Sequence, residues 1–146
     1  MIKNVQYFNF ADALGALKFY EEKFGATEVE IALASNPMFK DGLEQMGMTE
    51  EEAETFVMNA SFKILDQPFM VSSTWGQKEI DNSGAINVFT FDSNNEEEEV
   101  KVITDFYNRA VDAGCEVTME LGPTEWSSHF GGVKDPYGVE WMFNGE

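Results

Sequence analysis

The feature that most restricts what this chain can fold into is a pattern written twice. Residues 4–10 alternate, with Val5, Tyr7 and Asn9 to one side and Gln6, Phe8 and Phe10 to the other, as a strand requires. Asp12 stands where a helix needs a cap, Ala13, Leu17, Tyr20 and Phe24 recur at helical spacing, and Gly25 supplies a stop. Residues 27–33, 57–65 and 68–73 follow as strands, the last two joined by Asp66-Gln67. The second half repeats the order. Residues 85–91 alternate, with Phe89 and Phe91 in the places of Phe8 and Phe10. Residues 96–99 open a helix whose apolar stripe is Val100, Ile103, Tyr107, Ala110 and Val111, and Gly114 ends it. Strands at 115–121, 126–133 and 139–144 complete the set. The prediction is an α+β fold: one domain over 1–146, made of two βαβββ modules at about 1–75 and 84–146 with a polar linker over 77–84. Neither module can bury both faces of its sheet alone, so the strands are expected to curve around a shared cavity.

Local signals sharpen this outline. Asp135-Pro136-Tyr137-Gly138 has the residues of a tight turn: Pro presets φ, Asp bonds back to the turn amides, and Gly suits the last place. Gly131-Gly132 in the strand before it predicts a bulge or a close backbone approach. Thr49 to Glu52 has capping-box spacing and predicts a short helix. Between them in the first half, residues 34–49 are irregular yet carry Met38, Phe39, Leu43, Met46 and Met48. So apolar a loop must cover something, either an auxiliary core or a ligand pocket. The four glutamates at 96–99 complement the positive end of a helix and need no metal, since successive helical positions point in different directions.

Charge narrows the partners. With 27 acidic against 9 basic residues the formal net charge is −18, a field that repels nucleic acid and anionic membrane surfaces. A 43% apolar, 14% aromatic composition over 146 residues suffices for a core. The single cysteine, Cys115, has no partner for an internal disulfide and no base near it in sequence, so it reads as a small buried hydrophobe. No segment resembles a signal peptide or a membrane span, and the expected compartment is the cytoplasm.

Ala16-Leu17-Lys18-Phe19-Tyr20 with Phe24-Gly25, and Trp126, Phe130-Gly131, Asp135-Pro136-Tyr137-Gly138, Trp141 and Asn144, resemble the vicinal oxygen chelate superfamily, the glyoxalase and bleomycin-resistance fold. Within it the chain is similar to the PhnB-like branch, once labelled by likeness to a demethylubiquinone methyltransferase. The resemblance implies paired βαβββ modules, a small-molecule ligand and a homodimer. Catalytic members hold a divalent metal with His, Glu or Gln from strands of both modules. The matching positions here fall near Val5 or Gln6, at Asn59 and Ser61, at Ile86 and Asn87, and at Met142. In the first strand only Gln6 could coordinate, Gln, Asn and a thioether together make a poor ligand set for a hard cation, and Glu140, one strand period from Met142, is the other candidate. No tightly bound metal and no other cofactor is therefore expected.

His129 is the only histidine and a candidate general base, with Glu125 as its conceivable partner; on an extended strand the two would stand roughly 13 Å apart. The residues expected to line a pocket are Gln6, Tyr7, Trp75, Trp126, His129 and Met142. The leading expectation is a PhnB-like protein that binds a small, largely apolar molecule. The alternatives are a divalent-metal-dependent lyase or dioxygenase, and a non-enzymatic acidic module that meets a basic partner.

Overall fold

In β1 (Gln6–Phe10) alternation becomes burial: Phe8 and Phe10 are buried, while Tyr7 is exposed on the opposite side. The Asp12 carboxylate accepts from the Gly15 amide at 2.9 Å and starts α1 (Ala13–Lys23). The helix ends where Gly25 takes φ +69°, with the amides of Phe24 and Ala26 both donating to the Tyr20 carbonyl. Ala13, Ala16, Leu17 and Tyr20 form its buried face. After β2 (Thr27–Leu33), a 3₁₀ turn (Pro37–Gly42) and a loop lead to α2 (Glu50–Ala53). The capping box is present, with Glu52 N to Thr49 Oγ1 at 3.1 Å and Thr49 N to Glu52 Oε1 at 3.3 Å. β3 (Val57–Ile64) and β4 (Gln67–Ser73) follow as a hairpin. Its turn is Leu65-Asp66, one residue earlier than the sequence indicated: both have positive φ, which matches the right-handed twist of the flanking strands.

This is a computed structural model describing residues 1–146, the side chain of Gln77 excepted, and it comprises two units, Met1–Ile80 and Asp81–Glu146. In the first, the sheet order is β1-β4-β3-β2, with β1 parallel to β4 and the other pairs antiparallel. One face packs on α1 through an aromatic stack: Phe8, Phe62 and Phe69 lie ring to ring at 5.8–6.0 Å, and Tyr20 of α1 stacks on Phe62 at 5.7 Å.

The second unit repeats the plan with β5 (Ile86–Phe91), α3 (Lys101–Asp112), β6 (Glu116–Gly122), β7 (Phe130–Lys134) and β8 (Glu140–Gly145). Its sheet order is β5-β8-β7-β6, and β5 is parallel to β8. The glutamate run forms a single π turn (Glu96–Val100) ahead of α3. The buried stripe is Val100, Ile103, Phe106 and Ala110; of the expected stripe Val111 is exposed and Tyr107, whose ring meets Phe143 edge-on, is half-buried, while Phe106 packs against both Phe89 and Phe143. The expected close approach at the glycines is real. A Cβ on Gly131 would lie 2.7 Å from the Leu121 Cα, and one on Gly132 would lie 2.8 Å from Thr118 Oγ1. The β6–β7 register also shifts on either side of Met119. Among the described residues no helix is long and apolar enough to cross a membrane.

Candidate functional site

Each sheet has one face covered by its helix and one outer face, and register assigns every strand residue to one of them. In the first unit Gln6 is level with Phe69 and shares the helix-covered side with Phe8 and Phe10; it is exposed at the strand end. Tyr7, Asn9, Asn59, Ser61 and Ser72 occupy the outer face, where Ser72 Oγ donates to Asn9 Oδ1 at 2.9 Å. In the second unit Glu140, Met142 and Asn144 share the outer face with Val88 and Thr90. Asn87 lies on the other side beside Trp141, its Nδ2 buried without a hydrogen-bond partner.

The donor set does not suit a divalent cation. The outer faces offer amides, hydroxyls and thioethers, with Glu30 level with Ser61 in the first unit and Glu116 and Glu140 on either side of Lys134 in the second, whereas a hard cation needs several anionic or imidazole ligands drawn together. Among the described residues, no three His, Cys, Asp or Glu side chains are grouped closely enough to hold a metal ion. Alternation explains why Gln6 adds nothing to the outer face: Tyr7 holds that direction.

His129 precedes β7 in a loop rather than a strand. Thr124 Oγ1 accepts from the amides of Trp126 and Ser127, which bends the chain, and Ser127 Oγ donates to the Gly145 carbonyl at 2.7 Å, which ties the loop to the end of β8. The His129 Nδ1 meets Ser128 Oγ at 3.1 Å and the ring lies beside Phe91, while Glu125 is exposed. Trp126 is 66% exposed and sits edge-on to Phe130.

Trp75 belongs to a different setting. β1 and β4 run parallel and end level, Phe10 against Ser73, after which their chains part: one turns into α1 and the other into a 3₁₀ turn (Trp75–Gln77). Diverging chains at the carboxyl ends of adjacent parallel strands leave a crevice. Here it is a cavity of about 820 Å³. Ala11, Asp12 and Ser73 line its base, and α2 and the turn after it contribute Glu52, Thr55 and Phe56. Phe56 and Trp75 pack ring to ring at 5.1 Å, with Trp75 still 58% exposed. The methionine loop supplies a wall through Met46, Gly47 and Met48. Backbone bonds within the loop shape it: Met46 N to Gly42 O and Met48 N to Leu43 O, both 3.0 Å, with Gly47 at φ +67°. Other apolar residues of the segment remain outside, Met38 being 73% exposed. Glu79 closes the rim.

A family model for the Glyoxalase/Bleomycin resistance protein/Dioxygenase superfamily matches residues 8–143. The chain belongs to that superfamily. Protein PA1353 from Pseudomonas aeruginosa is 23% identical over 100% of this chain and 98% of its own, with a TM-score of 0.72. The PhnB protein from Bacillus cereus is 19% identical over 99% and 100%, with a TM-score of 0.66. FosX, a fosfomycin resistance protein from Listeria monocytogenes, is 13% identical over 99% and 94%, with a TM-score of 0.61. No curated protein matches in sequence. These likenesses establish a glyoxalase-superfamily fold with PhnB-like neighbours; they leave its chemistry to the residues.

Of the six residues expected to line a pocket, Trp75 alone lines this cavity, while Met46 and Met48 of the apolar loop do so as well. Gln6 and Tyr7 belong to β1, Met142 to β8, and Trp126 and His129 to the loop ahead of β7. Asp12, Phe56 and Glu79 escaped sequence reading as site residues. Asp12 has the sufficient local role of a cap, and nothing in the spacing of Phe56 and Glu79 shows that they flank one space.

Proposed function

We propose that this protein is a PhnB-like member of the glyoxalase superfamily that binds a small, largely apolar molecule beside Trp75, without a tightly bound catalytic metal. The cavity carries this reading. At about 820 Å³ it falls within the range of small-molecule sites, and Met46, Met48, Phe56 and Trp75 give it an adaptable, polarizable wall, matched by the polar side chains of Asp12, Glu52, Thr55, Ser73 and Glu79. Members of the superfamily typically bind small molecules and form dimers, and we place this chain as a homodimer as well.

FosX from Listeria monocytogenes has been crystallised with Mn(II), so a metal-dependent lyase or dioxygenase is the reading to test against. Protein purified without chelator or metal-affinity resin should hold well under one divalent ion per chain. Its melting temperature should be unmoved by Mn²⁺, Ni²⁺ or Zn²⁺. A metal present at about 100 times its Kd would stabilise the folded state by about 2.7 kcal/mol. For a chain of this size that is a rise of about 5–10 °C. Such a rise with near-stoichiometric metal would overturn the metal-free reading. In a screen of small aromatic and aliphatic compounds, hits should raise the melting temperature of the native chain and lose that effect in Trp75→Ala.

A further inference from the structure

We infer that the molecule held in this cavity carries a positive charge: the site fits a small organic ammonium ion with an apolar body. This rests on the cavity being the binding site, as proposed above. Three carboxylates reach its lining from three separate stretches, Asp12 at the start of α1, Glu52 in α2 and Glu79 beyond the Trp75 turn, and among the described residues no Lys, Arg or His lines it. Among the described residues the ion pairs are Lys63–Glu28 and Lys101–Asp105, so none of the three is neutralised by the protein. Two are held in place by backbone amides through a single oxygen, Asp12 Oδ1 by Gly15 N and Glu52 Oε1 by Thr49 N. The second oxygen of each makes neither of these bonds.

Asp12, Glu52 and Glu79 are exposed, and an apolar body entering the cavity displaces part of the water around their carboxylates. A neutral molecule gives them nothing in return and an anion adds repulsion, whereas an ammonium group supplies the missing counter-charge. The wall beside them suits the same ligand. Phe56 and Trp75 present aromatic rings, which attract a cation through their faces, and the Met46 and Met48 thioethers are polarizable. Carboxylates and aromatic rings thus select for one charge sign, while cavity volume leaves the apolar portion free to vary.

The test uses three matched probes with the full chain at low salt: phenethyltrimethylammonium, phenethyl alcohol and phenylacetate, followed by calorimetry. The ammonium probe should bind about tenfold more tightly than the alcohol, and phenylacetate most weakly. Glu79→Gln, which removes no helix cap, should weaken the ammonium probe about two- to fivefold, leave the alcohol unchanged and keep the melting temperature. Trp75→Ala should weaken both. Equal binding of alcohol and ammonium, lost in Trp75→Ala, would overturn the charge preference and leave the binding site standing. Ammonium binding unaffected by both substitutions would place it elsewhere on the acidic surface and overturn the inference. Failure of all three probes to bind or to shift the melting temperature would overturn the cavity as a binding site and the inference with it.

Discussion

Cys115 shows how far surroundings govern a residue's chemistry. It is 7% exposed, and burial first, then the nearby Asp135 charge, pushes its thiol up to about 12. A thiol so held is a packing group, as the absence of a neighbouring base in the sequence suggested. The sign of its pH effect follows. The folded state keeps the proton to higher pH than the unfolded state, so stability is full below the ordinary thiol value of 9.0 and falls as pH rises from there towards 12. The slope is about 1.4 kcal/mol per pH unit. Urea unfolding at pH 8 and pH 10.5 should show this loss in the native chain and a smaller one in Cys115→Ala. The comparison removes the contribution of Lys63, whose pKa is raised by its hydrogen bond and charge interaction with Glu28 and which loses its stabilising charge in the same alkaline direction. At pH 8 iodoacetamide should leave the native thiol unmodified and label the unfolded chain.

The β7–β8 hairpin shows an element held by more than its turn residues. Asp135 is buried, and its Oδ1 accepts from the amides of Tyr137 and Val139 at 2.8 and 3.1 Å. Its Oδ2 accepts from the Trp141 indole at 2.9 Å, joining the turn to the core of the unit. Asp135→Asn can satisfy the two amides or the indole with its one oxygen, and either way a buried donor faces an NH₂ group. The expected loss is about 2–3 kcal/mol, or about 4–10 °C in melting temperature; a change under one degree would show that the indole bond contributes nothing. The turn itself was legible, because Pro136 and Gly138 have strong backbone preferences. The indole bond was not, since it needs β8 to pair beside β7 before Trp141 is delivered to the carboxylate. The same limit explains Phe106: helical spacing marked an apolar side of α3 but not which neighbouring position would meet Phe89 and Phe143.

At the scale of the whole chain, charge opposes folding. A formal −18 concentrates repulsion in the folded state, and the exposed pairs Lys63–Glu28 at 2.7 Å and Lys101–Asp105 at 2.6 Å relieve little of it. Raising sodium chloride from about 10 to 200 mM shortens the Debye length from roughly 30 Å to under 10 Å. It should therefore raise the melting temperature by about 2–4 °C, equivalent to about 1 kcal/mol. A fall over that range would mean that attractive surface pairs outweigh the net repulsion. The same acidity disfavours polyanionic partners by repulsion without choosing among the remaining ones; in the function proposed above, the lining of one cavity makes that choice.

Strand alternation, helical spacing, caps and turn residues are properties of neighbours along the chain, and they were enough to outline two βαβββ units; the superfamily came from the resemblance of particular residues in α1 and around the β7–β8 hairpin. The Met46–Met48 wall was half legible in the same way, because an apolar irregular segment has to cover something. Which space it covers was decided by the tertiary structure. Phe10 and Ser73, 63 positions apart, become level only when β1 pairs in parallel with β4. Only then do Asp12, Glu52, Phe56, Trp75 and Glu79 surround one cavity. A site assembled from distant stretches leaves no spacing in the sequence, because the pairing of strands rather than the order of residues sets the distances between its groups.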